Sequence, residues 1–323
     1  MAKLKTIAWM LILVLAITGC AAAPKDATEA NLPDINPKAE SANKDTKDVT
    51  LYFSYNGEQL LAGETRPIEV SVSEKLEAAV INALIAGPSS DRDELVGLFW
   101  DGVSLVNIES NADILFVTLS DSFVTTEPKT TVLDEGTVQD RKRLAIYSIV
   151  NTITEIGTYS SVQIFIDKPE GAQRITLSEA GFGSGTNDKL EPLPWTASLS
   201  TNESLILTPE NTLKEALDSY SKKNWERLYD FTAYSNTDGS VKPDMDDFYA
   251  ALAETGNVLN TFSITGMNVA YDGQSAIVLL SYSINTRQGE LIAGSSVPVV
   301  LVREEEIWKL SYTSLANVLM NER

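Results

Sequence analysis

The chain has 323 residues, 43% of them hydrophobic, with 45 acidic and 25 basic side chains and a formal net charge of −20. It contains no histidine and one cysteine, Cys20. Those counts exclude Ser-His-Asp and Cys-His catalysis, His-liganded zinc, His-based pH switching and an intramolecular disulfide. The acidity repels nucleic acid and anionic lipid headgroups, and the length suggests two domains.

Lys3 and Lys5 precede an apolar run, Ile7 to Ile17. The run is well short of the roughly 20 residues of a membrane-spanning helix, so it reads as the hydrophobic region of a signal peptide. The next residues, Ile17-Thr18-Gly19-Cys20, place an aliphatic and two small residues before the cysteine. This segment resembles the lipobox of bacterial lipoproteins. The resemblance implies signal-peptidase recognition through Ile17, Thr18 and Gly19, cleavage before Cys20 and diacylglycerol on the Cys20 thiol. Residues 1–19 are then a signal peptide, and their loss removes Lys3 and Lys5 and brings the charge to −22. An ordinary signal peptide or a short membrane anchor is the competing reading. Two or more acyl chains anchor stably where one is marginal. Residues 20–48 are rich in Ala, Lys, Asp, Asn and Pro with no hydrophobic period, and read as a disordered tether. The expected location is the extracytoplasmic face of the membrane.

A first domain is expected over residues 49–182. Val49 to Tyr55 alternates apolar and polar residues as a half-buried strand does, and Asn56-Gly57 is a strong hairpin signal. Glu58 to Ala62 returns, and Arg66 to Val70 extends the sheet. A helix begins at Ser73, shares Leu76, Val80, Ala83 and Leu84 on one face, and stops at Gly87-Pro88. Val103 to Ile108 and Ile114 to Leu119 read as strands turning at Asn111. A second helix, Val138 to Ile156, carries the stripe Ile146, Ile149, Val150, Ile153 and Ile156, and Val162, Ile164 and Ile166 alternate in a further strand. The expected architecture is an α+β sandwich with helices on one face of a mixed sheet.

Four segments of this region, LYFSYNGEQLLAGETRPIEV, LEAAVINALIAGPSS, GVSLVNIESNADILFVTLSDSF and AIYSIVNTITEIGTYSSVQIFID, resemble the GerMN domain. The likeness covers about 130 residues. Trp100 stands where that family often has a proline. The resemblance implies a non-enzymatic module of membrane-tethered envelope proteins, associated with assembly, germination or signalling.

Residues 183–205 read as a linker, opened by Gly181-Phe-Gly-Ser-Gly185 and stiffened by Pro192 and Pro194. In the second domain, residues 206–323, Thr208-Pro209 starts a helix that buries Leu213, Ala216, Leu217 and Tyr220. A second helical piece holds Trp225, Leu228, Tyr229 and Phe231. A third, Met245 to Ala253, buries Phe248, Tyr249 and Leu252. Strands follow: Phe262 to Tyr271, the alternating set Ala276, Val278, Leu280, Tyr282 and Ile284, then Val297 to Val302, and finally Ile307-Trp308-Lys309-Leu310. This order resembles the nuclear transport factor 2-like (cystatin-like) fold, in which helices pack into a curved antiparallel sheet and often leave a cone-shaped pocket.

Several motifs have both a bland and a chemical reading, and the bland one is preferred for each. Asp244, Asp246 and Asp247 suit a helix N-terminus better than calcium. Asn236 to Ser240 lacks the glycine and the bidentate glutamate of a calcium loop. Gly181, Gly183 and Gly185 do not open a strand-to-helix dinucleotide turn. Glu304 to Glu306 is a hairpin tip, and Tyr220, Trp225, Tyr229 and Phe231 are core rather than pocket lining. No pair of carboxylates stands out for glycoside hydrolysis.

The expected function is a non-catalytic interaction or scaffold module of the bacterial cell envelope, related to sporulation or germination. No catalytic residue, metal or cofactor is expected. The expected partners are the membrane, through the lipid, and an envelope protein. The alternative is a lipoprotein that binds a small molecule or cell-wall fragment in its C-terminal domain.

Overall fold

The computed structural model describes residues 45–126, 135–183, 195–236 and 238–320. Asp45–Arg323 make one compact unit. Strand β1 (Asp45–Tyr55) pairs antiparallel with β2 (Leu61–Val70), and at its far end with the two-residue β3 (Leu95–Val96). Val49, Leu51, Phe53 and Tyr55 are all buried, as the alternation predicts. The strand starts four residues earlier than the pattern shows, because Asp45 to Asp48 pair with Val70 to Pro67. Those residues lie in the stretch read as tether, and backbone pairing orders them despite their polar side chains. Asn56 and Gly57 both have positive φ (49° and 73°), and Glu58 N donates to Tyr55 O, as a hairpin turn of this type requires.

Helix α1 (Leu76–Ala86) starts three residues after the expected Ser73 and ends at Gly87, whose φ of 97° only glycine adopts readily. Arg66, reaching across from β2, donates to the free carbonyls of Ala83 and Gly87 at the helix end. Strands β4 (Leu105–Asn111) and β5 (Ile114–Ser120) form a hairpin that turns at Ala112, not Asn111. A short helix, α2 (Ser122–Thr125), follows. Trp100, where the family often has proline, stacks on Phe123 and donates its indole N–H to Ser122 O.

Helix α3 (Glu135–Glu155) is the crossover that makes β6 (Ser161–Lys168) parallel to β5. A short strand, β7 (Gly171–Arg174), closes that second sheet in the order β4-β5-β6-β7. The single mixed sheet expected from the sequence is therefore two sheets, β2-β1-β3 and β4-β5-β6-β7, with α3 packed against both β1 and β6. The helix has two working faces. Ile146, Ile149, Val150 and Ile153 are fully buried, as the stripe predicts. Ser148 and Thr152 are equally buried. Ser148 Oγ donates to Tyr52 O and Thr152 Oγ1 accepts from Tyr52 N, so the helix satisfies the stretch of β1 that β3 is too short to pair.

The segment after residue 182 is not a free linker where it is described. Gly181 (φ +78°) lies against α3, and Phe182 packs edge-on against Tyr147. Leu199 exchanges two backbone hydrogen bonds with Val162, Thr196 N donates to Ile175 O, and Leu207 N donates to Leu61 O. Gly185, Pro192 and Pro194 lie outside the described residues.

Thr208 caps α4 (Pro209–Ser221) by accepting from Asn211 N, and Asn224 caps α5 (Trp225–Asp230) by accepting from Arg227 N. Helix α6 (Met245–Thr255) follows. Strands β8 (Val258–Val269), β9 (Ser275–Asn285), β10 (Leu291–Glu304) and β11 (Ile307–Leu310) form an antiparallel sheet in the order β11-β10-β9-β8. Register shifts at Leu259/Thr261, Ile264/Gly266 and Gly294/Val297 coil the sheet around α4. A C-terminal helix, α7 (Tyr312–Leu315), continues through a π turn at Ala316–Met320. The expected α+β class holds in both halves.

Candidate functional site: the junction between the two halves

The β1–β2 hairpin of the first half meets α5 of the second. The β1–β2 hairpin brings Tyr55 and Glu58, and α5 brings Arg227 and Asp230. Arg227 Nε and Nη2 each lie 2.7 Å from a carboxylate oxygen of Glu58, a bidentate pair spanning 169 residues of chain. Nη2 also reaches Glu215 Oε2 at 2.6 Å, Nη1 donates to Ser219 Oγ, and the guanidinium sits 4.9 Å over the Phe231 ring. Burial lowers the Arg227 pKa, but the hydrogen bonds to Glu58 and Glu215 outweigh it and hold the group firmly cationic.

Tyr55 packs 5.5 Å from Phe231 and donates its hydroxyl to Asp230 O. Lys309, on β11, donates to both the Tyr55 hydroxyl and Asp230 O. Lys242 donates to Tyr229 O and Thr232 O and lies 3.6 Å over the Tyr229 ring. On the other side, the β10–β11 tip docks on the first domain. Glu306 Oε2 accepts from Thr65 N at 2.6 Å, and Arg92 donates to Glu305 O. Glu305 and Glu306 both take positive φ, 47° and 68°, where Asn-Gly would be comfortable. The contacts across the junction hold glutamate in that conformation. Glu304 turns the other way and accepts from Tyr234 N and Ser235 N.

Burial sets the titration of this cluster. It depresses Lys242 to about 8, helped by the charge on Lys309, and it also lowers Lys309. Burial raises Tyr55, with Asp230 and Glu58 adding to it, and burial together with Glu155 raises Tyr52. Between about pH 8 and 10 the unfolded chain binds more lysine protons than the folded one, so stability rises with pH. Above about pH 10 the unfolded chain loses tyrosine protons that the folded chain keeps, and stability falls. The urea midpoint is expected to pass through a maximum near pH 10, and Lys242→Met should shrink the rise that precedes it.

The motifs weighed from the sequence resolve into structure. Asp244 is the N-cap of α6 and accepts from Asp247 N, which accounts for the acidic cluster there. Asn236 is buried, with its side chain bonded to Ser240, Ser311 and the Thr313 backbone. No group of three or more His, Cys, Asp or Glu among the described residues is placed to hold a metal. Tyr220 and Phe231 are core, while Trp225 and Tyr229 are half-buried beside them. Helix α7 and the π turn pack Leu315, Val318 and Leu319 against Leu213, Leu217 and Leu280. About 10 Å³ is left at that spot. Ile17, Thr18, Gly19 and Cys20 lie outside the described residues. No helix among the described residues is long and apolar enough to cross a membrane.

Residues 50–169 match the family model Germane, described as sporulation and spore germination. This stretch is similar to the Germane family. No curated protein matches the chain. Among solved structures, the tandem GerMN domains of the sporulation protein GerM from Bacillus subtilis are 22% identical, with a TM-score of 0.32 over 50% of this chain and 48% of that one. The present chain thus spans about half the length of that relative. A putative lipoprotein from Clostridium perfringens is 21% identical over 42% of this chain and 81% of that one, with a TM-score of 0.24. An NTF2-like protein of unknown function from Cytophaga hutchinsonii is 12% identical over 32% and 88%, with a TM-score of 0.23. The Germane-matching residues supply Tyr55, Glu58, Thr65 and Arg92 to the junction. None of these partnerships has a sequence signal, because each joins residues more than 150 positions apart.

Proposed function

We propose that this chain is a lipid-anchored, extracytoplasmic protein of the bacterial envelope that works in sporulation or germination by binding another envelope protein, without catalysis. The Germane match over residues 50–169 carries this reading, and the lipobox-like Ile17 to Cys20 segment supplies the anchor. The junction supports it as well. A partner meets two domains held by ion pairs, tyrosine and backbone bonds as one surface, so little ordering entropy is lost on docking.

Two measurements test it. Cys20→Ala is expected to abolish fatty-acid labelling and processing and to change the membrane fractionation of the chain. A variant that is sedimented, processed and labelled like the parent sinks the anchor. In-cell crosslinking of the anchored chain is expected to recover a specific envelope protein that is lost when the Germane domain is deleted. Recovery of none, or recovery independent of both domains, sinks the scaffold role.

A further inference from the structure

The first domain has a crevice of about 250 Å³, bounded by the β1–β2 hairpin, the Val96–Leu98 segment and one face of α3. Its charged lining residues are Glu58, Asp140 and Arg141. Glu58 is held by a bidentate pair with Arg227, which Glu215 shares. Asp140 is neutralised by Arg143 at 2.9 Å and also accepts from Gln59. Arg141 has no such partner among the described residues. Its Nε donates to Leu98 O at 3.1 Å and its Nη2 to Gly97 O at 3.2 Å. Both acceptors are neutral carbonyls, and a guanidinium has five N–H groups. Burial pulls the Arg141 pKa down.

The other polar side chains of the wall are already engaged. Ser54 Oγ donates to Glu58 O, and Gln59 is held between Asp140 and Arg143. The remaining wall is Gly57, Val96, Gly97, Leu98, Leu144 and Thr137, which is likewise engaged. A half-buried arginine with N–H groups beyond those bonded to Leu98 and Gly97, beside a largely apolar wall and with both lining acids held by other arginines, suits a carboxylate carrying a small apolar body. Arginine suits this because its fork matches the two carboxylate oxygens. The volume falls below the roughly 300–1,000 Å³ of drug-sized pockets, so the ligand is small. We infer that this crevice binds the C-terminal carboxylate of a peptide that ends in small residues, with Arg141 pairing the carboxylate and Val96 and Leu98 contacting the terminal side chains.

The test is equilibrium dialysis of radiolabelled N-acetyl-alanyl-alanine against the full-length chain in detergent. Saturable binding at one site per chain is expected, at least tenfold tighter than that of the C-terminal amide and of free acetate. Arg141→Gln should lose at least tenfold. Because Arg141 also anchors Gly97 and Leu98, a second variant separates ligand loss from misfolding. Val96 is 41% exposed, and Val96→Trp fills the crevice from a surface position with the fold intact; it should lose binding as well. No saturable binding to the parent at millimolar ligand overturns the inference. So does equal binding of the amide or of acetate, or parental binding by Val96→Trp.

Discussion

Replacing Arg227 with methionine is expected to destabilise the chain by about 2–4 kcal/mol, read as a drop in the urea midpoint. The side chain compensates Glu58 and Glu215 together and stacks on Phe231. Removing it leaves two carboxylates 27% and 31% exposed with no cation beside them. Breaking a fully buried pair costs ~3–5 kcal/mol, and the partial solvation of this one lowers the figure. The loss is a junction effect, so the double variant Arg227→Met with Glu58→Gln should recover part of it. Arg227→Lys should keep the charge but lose the fork, and fall between parent and methionine. A methionine variant with an unchanged midpoint would show that the ion pair does not hold the two domains together.

Gly181→Ala is expected to be about as costly, ~2–4 kcal/mol, by combining overpacking with backbone strain. A Cβ there would sit 2.1 Å from Gln139 O and 2.9 Å from Arg143 N, both backbone atoms of α3 that cannot swing away. The residue also has φ of +78°. Gly183 separates the two terms. It has φ of +108°, but a Cβ would meet nothing within 4 Å. Gly183→Ala should therefore lose only the conformational part, about 1–2 kcal/mol. Equal effects in thermal unfolding would mean that the close approach of Gly181 to the helix is unimportant.

The sequence made this contrast invisible. Glycines at 181, 183 and 185 look alike in composition, and a Gly- and Ser-rich run reads as linker. Only the position of α3 makes the first of them a packing residue. The polar face of α3 was hidden for a similar reason. Ser148 and Thr152 fit a solvent-facing row, and nothing local shows that β3 is too short to pair the edge of β1. The failure of the single-sheet expectation has the same origin, since alternation marks a strand without naming its neighbour. Conversely, Asn56-Gly57, Thr208-Pro209 and the stripe Ile146 to Ile153 were legible because turn, cap and amphipathic face depend on residues within a few positions of one another.

By itself, then, the amino-acid order marked most of the longer strands and helices, the apolar residues that face inward, the lipobox-like segment at Cys20, and the chemistry ruled out by the lack of histidine. Tertiary structure alone decided which strands share a sheet, that α7 and the π turn pack against α4 and β9, and that Arg227, Tyr55 and Lys309 join the two halves. The physical reason is range. Periodicity and capping are set within a turn or two of chain, whereas an ion pair between residues 58 and 227 exists only once the intervening chain has folded to bring them to 2.7 Å.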